Sequence, residues 1–274
     1  MAGSGAPRES LREMLKVEDR GAGAFAATLE SFWGDATRGD LLARAALAAN
    51  AGRSEGPSAL QASFFTHPEP DVPLGLAREE IAADRTRVRA RAGHVLLCEA
   101  VFRFTPPGDG LTYQGPALGP GPTAPEDLPS ELELGRAEGW EQYAAGPIES
   151  RRIGAHTQVK DDEPAVWQGW LAPREPLPGD ARVQAAALVF LAEYRSHWAV
   201  ERRLGADFPR ASIELQDFAL WIHRTERWDD FWLVRTTSDV GAGGRCLSHR
   251  EIYTRRGALV ASAVWEAIVR LAKR

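Results

Sequence analysis

Hydrophobic and polar positions along the chain fall into two stretches that share one order of elements. In the first, an apolar run over residues 24–32 predicts a strand leading into Gly34 and Asp35. A helix is then predicted over 38–51, with Leu41, Leu42, Ala45, Ala46 and Ala49 repeating at helical spacing as an apolar stripe. Strands follow at 58–66, 74–83, 86–91 and 95–104, and the turn Ala92-Gly93-His94 joins the last two as a hairpin. In the second stretch a strand at 165–171 precedes a helix predicted over 181–204, opened by Pro178-Gly179-Asp180 with Asp180 as N-cap. Strands are predicted at 211–223, 231–239, 245–254 and 258–270, the last pair turning at Arg255-Arg256-Gly257. Strand, helix and an antiparallel run of strands thus occur twice, as in a duplicated helix-wrapped sheet.

Between the two stretches, Pro106, Pro107, Pro116, Pro120, Pro122, Pro125 and Pro129 rule out a continuous helix or central strand over 105–138. That segment reads as an exposed linker or as a lid over a ligand tunnel. The implied division is an N-terminal domain at 10–106, a Pro/Gly-rich linker at 107–150 and a C-terminal domain at 151–274.

A net charge of -5 supplies no footprint for nucleic acid, and no stretch of about 18 apolar residues is present to span a membrane. Residues 1–12 lack the apolar core of a secretion signal, so a cytoplasmic location is expected. Cys98 and Cys246 sit in apolar or strand-like runs and read as a buried, reduced pair rather than a disulfide framework or zinc motif. No metal-ligand spacing stands out, and no cofactor is implied. Gly241-Ala242-Gly243-Gly244-Arg245 lacks the Lys-Ser/Thr ending of a phosphate loop and lies between two predicted strands, which makes it a hairpin turn.

From Ile213 onward the residues become more specific. The run Ile213-Glu-Leu-Gln-Asp217-Phe-Ala-Leu-Trp221-Ile-His223-Arg224 resembles a strand of type II acyl-CoA thioesterases that carries Asp-His followed by Trp-Phe-His-Arg. Glu251-Ile-Tyr253-Thr, followed by Gly257-Ala-Leu259-Val260-Ala261-Ser262, is similar to that family's closing hairpin. Arg151-Arg152-Ile and Trp167-Gln-Gly-Trp170 fall in the family order upstream. In the first half, Trp33-Gly34-Asp35 stands where the family has Phe-Gly-Gly, and Ala62-Ser-Phe64-Phe65 where it has Tyr-Phe-Leu. The resemblance implies an α+β fold of two tandem hot-dog domains, each an antiparallel sheet wrapped around a central helix. It also implies an acyl-CoA or acyl-carrier thioester as substrate and a homo-oligomer. Backbone N–H groups at a helix N-terminus would polarise the thioester carbonyl.

The resembled family activates water with an Asp on the second helix, a Ser or Thr on the next strand and a Gln on the last. Carried over position by position, these fall at Glu193, Leu215 and Trp265. Glu193 retains a carboxylate that can serve as general base, or is a solvated side chain paired with Arg195 or Arg152. Leu215 can hold no water and reads as a wall of a binding pocket; the Trp265 indole offers one donor and no acceptor and reads as a core aromatic or as the floor of that pocket. Asp217 shares a strand face with Leu215 by period-two alternation and is a second catalytic candidate. His223 stands six residues further along, roughly 20 Å away, too far to pair with it. His67 marks another strand end, and Asp35 and Asp40 read as first-turn acids or as the lone carboxylate of a simpler site. Trp33, Gly34 and Tyr194 are assigned to substrate binding, with Phe190 and Tyr194 narrowing the acyl tunnel. Arg224, Arg235 and Arg245 are surface candidates for coenzyme A phosphates. Three functions follow: a thioester hydrolase working through Glu193, a non-catalytic acyl-thioester binder walled by Leu215 and Trp265, and an acyltransferase or dehydratase-like relative.

Overall fold

The computed structural model describes residues 11–272 except 30, 33–34, 37, 68, 70–71, 107, 116–121, 140–145, 156 and 161–162, with backbone only at 31–32 and 35–36. Helices are α1 (Leu11–Met14), α2 (Arg38–Ala49), α3 (Glu131–Glu138), α4 (Ala181–Glu193) and α5 (Trp198–Leu204). The N-terminal strands are β1 (Glu18–Gly21), β2 (Ala24–Thr28), β3 (Ser31–Phe32), β4 (Asp35–Ala36), β5 (Ala59–Phe64), β6 (Pro73–Ala82), β7 (Arg85–Ala92) and β8 (Val95–Arg103). The C-terminal strands are β9 (Ile148–Arg152), β10 (Ala165–Pro173), β11 (Ala211–Ile222), β12 (Trp232–Ala242), β13 (Arg245–Tyr253) and β14 (Leu259–Leu271).

All but β3 and β4 join one antiparallel sheet of twelve strands, ordered β1-β2-β6-β7-β8-β5-β11-β14-β13-β12-β10-β9. Read outward from the middle, β5-β8-β7-β6-β2 repeats as β11-β14-β13-β12-β10, so the two halves carry the same topology and meet where β5 pairs with β11. The helix α2 lies in one half and α4 in the other. They pack against each other on the inner face of the continuous sheet. This is the tandem hot-dog arrangement. Among the described residues, no helix is long and apolar enough to cross a membrane.

Small side chains make this packing close. Ala90, Ala100, Ala261, Ala263 and Ala267 are buried on the sheet, against the alanine-rich α2 and α4. A methyl group built on Gly56 would lie 2.8 Å from Ala185 Cβ, and one on Gly39 only 2.9 Å from Glu193 Oε2. The sequence predicts one apolar stripe on α2. In the structure every residue from Gly39 to Ala46 is buried, because α4 covers the flank that the sheet leaves open. Asp40 and Arg44 are therefore buried too, and pair with each other at 2.9 Å.

Two local expectations change, and the hairpin expected at Gly243-Gly244 holds. The helix predicted over 181–204 breaks into α4 and α5 at residues 194–197, where Arg195 takes a left-handed φ of 51°. The segment read as linker or lid contains α3, with a capping box between Ser130 and Glu133, and its end includes the start of β9. This segment is strapped to the C-terminal sheet: Trp170 Nε1 donates to Thr123 O at 2.8 Å, and Arg151 Nη1 donates to Pro125 O and Leu128 O. The hairpin at Gly243-Gly244 has φ of 59° and 75°, the two positive values that a tight two-residue turn requires.

Candidate active site

The break after α4 is what builds the site. Helix α4 starts on its Asp180 cap, whose side chain accepts from Arg182 N–H, and runs to Glu193. Four residues across its end leave carbonyls that a longer helix would have satisfied. Arg250 takes them. Its Nη1 donates to Leu191 O, Ala192 O and Tyr194 O at 2.9, 3.1 and 2.8 Å, its Nη2 to Arg195 O at 3.4 Å, and its Nε to Thr236 Oγ1 at 2.9 Å. The guanidinium is 1% exposed and sits 5.4 Å from the Trp265 ring centre. Burial lowers its pKa to about 10, opposed by the charge of Glu193.

The turn after α4 carries Ser196 and His197 to a cavity of about 60 Å³ shared with Glu193, where α4, the N-terminal end of α2, β11 and β14 meet. Its polar wall is Arg38, Glu193, Ser196 and His197; its apolar wall includes Leu215 and Trp265. This volume accommodates water or a carbonyl group, and the lining offers polar partners for either. Glu193 Oε2 accepts from Gly39 N–H at 2.8 Å, at the positive end of α2, and Oε1 accepts from Ser196 Oγ at 3.0 Å. Burial raises the Glu193 pKa. The charges of Arg38 and Arg250 and the two hydrogen bonds pull it back down. The result is a carboxylate more basic than a solvated one, with two of its roughly four lone-pair sites occupied.

The three positions carried over from the family, Glu193, Leu215 and Trp265, therefore converge on one cavity although they lie on different elements. The other assignments fare differently. Asp217 does not share the face of Leu215: Leu215 pairs with Ala267 while Asp217 pairs with the adjacent Glu266, leaving Gln216 as the extra residue of a β-bulge. One added residue inverts the alternation, so Leu215, Phe218 and Leu220 are buried while Asp217 is exposed on the outer face, accepting from Ser63 Oγ at 2.6 Å. Tyr194 is buried between Phe190 and Trp198 and does not line the cavity. Trp33 and Gly34 lie outside the described residues, as does the side chain of Asp35. Glu193 is not a solvated partner of Arg195 or Arg152; Arg195 stacks on Trp198 at 4.4 Å and Arg152 faces Glu131 at 3.7 Å. Nor is a helix amide left to polarise a carbonyl at Gly39, since its N–H serves Glu193. His223 meets Ser262 Oγ at 2.9 Å, far from Asp217's Ser63, and His67 is exposed. Among the described residues, none of 105–150 lines this cavity.

Sequence reasoning missed Arg38, Ser196, His197 and Arg250. Two of them left a signal. Arg38 puts a cation at a helix N-terminus, where the dipole disfavours it. Arg250 stands at the inward phase of Cys246-x-Ser248-x-Arg250-x-Ile252, all buried. Ser196 and His197 became visible only with the helix break. A larger cleft, about 1030 Å³, lies at the opposite end between α1, β2, β6 and α2. It includes none of the three carried-over positions, and the small cavity is favoured because the buried charges converge there.

Cys98 and Cys246 are free and buried, with burial pushing the Cys98 thiol up to about 12. In sequence, the acyl-CoA thioesterase C-terminal domain family matches residues 122–269. No curated protein matches the chain. Among solved structures, acyl-CoA thioesterase II TesB2 from Mycobacterium marinum is similar, at 20% identity and a TM-score of 0.78 over 96% of this chain and 99% of its own. The tesB protein of Mycobacterium avium subspecies paratuberculosis gives 20% and 0.75 over 94% and 97%. A hot-dog protein of unknown function from Alicyclobacillus acidocaldarius gives 14% and 0.75 over 95% and 97%. These likenesses carry the fold along nearly the whole chain. With the family match covering more than half of the residues, the chain belongs to the acyl-CoA thioesterase family.

Proposed function

We propose that the protein hydrolyses an acyl-CoA thioester with Glu193 as general base. The observation that carries this reading is the buried, raised-pKa carboxylate of Glu193 at a cavity with room for water. Glu193 takes a proton from water as the oxygen adds to the thioester carbon. The tetrahedral oxyanion then collapses, the C–S bond breaks, and the proton on Glu193 passes to the departing thiolate. The products are a carboxylic acid and free coenzyme A. Leu215 and Trp265 take the places of the hydroxyl and amide that hold water elsewhere in the family, and here they exclude bulk solvent.

The same chemistry applies to an acyl-carrier thioester, and we include it as a substrate class. Self-association is part of the reading, supported by Phe65, Trp221 and Leu247, exposed at 59%, 37% and 37% around an outer-face groove of about 540 Å³. A cytoplasmic setting is supported by the two free thiols.

The test is free-thiol release from acyl-CoAs of short to long chain by the native protein and by Glu193→Gln. Turnover that falls at least a hundredfold in the variant supports the proposal. Turnover that persists moves the base elsewhere. Binding of acyl-CoA with no turnover on any chain length, read as a raised melting temperature, would make the protein a binder walled by Leu215 and Trp265.

A further inference from the structure

The hydrolytic step needs hydrogen-bond donors aimed at the developing oxyanion; the helix amide at Gly39 is taken by Glu193, and Leu215 has none. We infer that Arg38 binds the thioester carbonyl oxygen and stabilises the oxyanion; this rests on the hydrolase reading of the Glu193 cavity. Arg38 lines that cavity directly, and its Nε is buried without a hydrogen-bond partner among the described residues. An N–H so placed is costly to leave unmade, and a carbonyl oxygen entering the cavity satisfies it. The guanidinium lies 5.6 Å from the Phe64 ring centre, with an apolar face on one side. Arg250, the fully buried guanidinium, is not among the residues lining the cavity; its donors serve the carbonyls of Leu191, Ala192, Tyr194 and Arg195 and the Thr236 hydroxyl.

Charge points the same way. Arg38 and Arg250 with an ionised Glu193 sum to one positive charge in a buried cluster. When Glu193 takes the proton from water and the carbonyl oxygen becomes an oxyanion, the total charge is conserved, but the negative charge moves from the base onto the substrate. A guanidinium that borders both positions stabilises the charge at its start and at its end, in a site shielded from water.

The experiment uses the full chain, with Arg38→Met and Arg38→Lys. Hydrolysis is measured on the best acyl-CoA. Binding is measured by calorimetry with two non-hydrolysable probes: an S-alkyl-CoA thioether, which lacks the carbonyl, and an S-(2-oxoalkyl)-CoA, which keeps one. Arg38→Met is expected to lower kcat about 10²- to 10³-fold with thioether affinity unchanged. The native protein is expected to prefer the ketone over the thioether by about tenfold or more, with that preference gone in Arg38→Met. Arg38→Lys keeps the charge without the planar fork and is expected to fall between; it also serves if the methionine variant does not fold. A ketone preference that survives in both variants, or native kcat in both, overturns the inference. If the native protein hydrolyses nothing, the hydrolase reading fails, and the ketone-against-thioether difference still judges Arg38.

Discussion

A buried carboxylate beside one buried and one half-buried guanidinium is an expensive arrangement, and its members are expected to respond sharply to single changes. Glu193 has a raised pKa and acts when deprotonated, so kcat/KM should climb as pH rises through that pKa and then level off. Arg250 holds the Glu193 pKa down, so removing its charge should move the rising limb to higher pH; a limb that stays in place in Arg250→Met would show that Glu193 is not the titrating base. The same substitution strands the carbonyls of Leu191, Ala192 and Tyr194 and should cost about 3–5 kcal/mol in urea unfolding, comparable to breaking a buried ion pair. Asp217 carries no such expectation. Exposed on the outer face with Ser63, it should tolerate Asp217→Asn with native turnover.

Between elements, the close approach of α2 and α4 is the sensitive contact. A methyl group at Gly39 would come within 2.9 Å of Glu193 Oε2 and 3.2 Å of Phe190 O, so either the helices part or the carboxylate moves. Gly39→Ala should therefore destabilise by about 1–3 kcal/mol and also lower kcat, a pairing that a purely structural glycine would not give. The start of α4 offers a contrast. Asp180→Ala removes the N-cap and should cost about 1 kcal/mol with kcat intact. Hydrogen bonds from Arg182 hold the Asp180 pKa down at about 2, below its ordinary 3.8. Its stabilisation is therefore complete above the unfolded value and is lost as pH falls toward 2, which acid unfolding of the native protein and Asp180→Ala would reveal as a difference that closes at low pH.

At the scale of the whole molecule, one sheet and one helix pair run through both halves, so they are expected to unfold together. All tryptophans except Trp33 and Trp140 lie beyond residue 160, so fluorescence reports the C-terminal half while far-ultraviolet circular dichroism reports both. Their urea transitions should coincide; two separated midpoints would show that the β5–β11 seam and the α2–α4 contact do not couple the halves. Local pattern was enough to read the two repeats, their turns and the Asp180 cap, because period, glycine placement and capping are properties of neighbouring residues. The positions Glu193, Leu215 and Trp265 were legible through family order along the chain. What neighbours could not reveal was decided by partners distant in sequence. The carbonyls at the helix break at 194–197 are capped by Arg250, more than fifty residues away. The phase of Asp217 depends on a bulge set by pairing with β14, and the full burial of α2 depends on α4. Arg38 and Glu193 share a cavity only because two similar halves join edge to edge at β5–β11 and lay α2 and α4 side by side on one face of the sheet, a contact that no local pattern records.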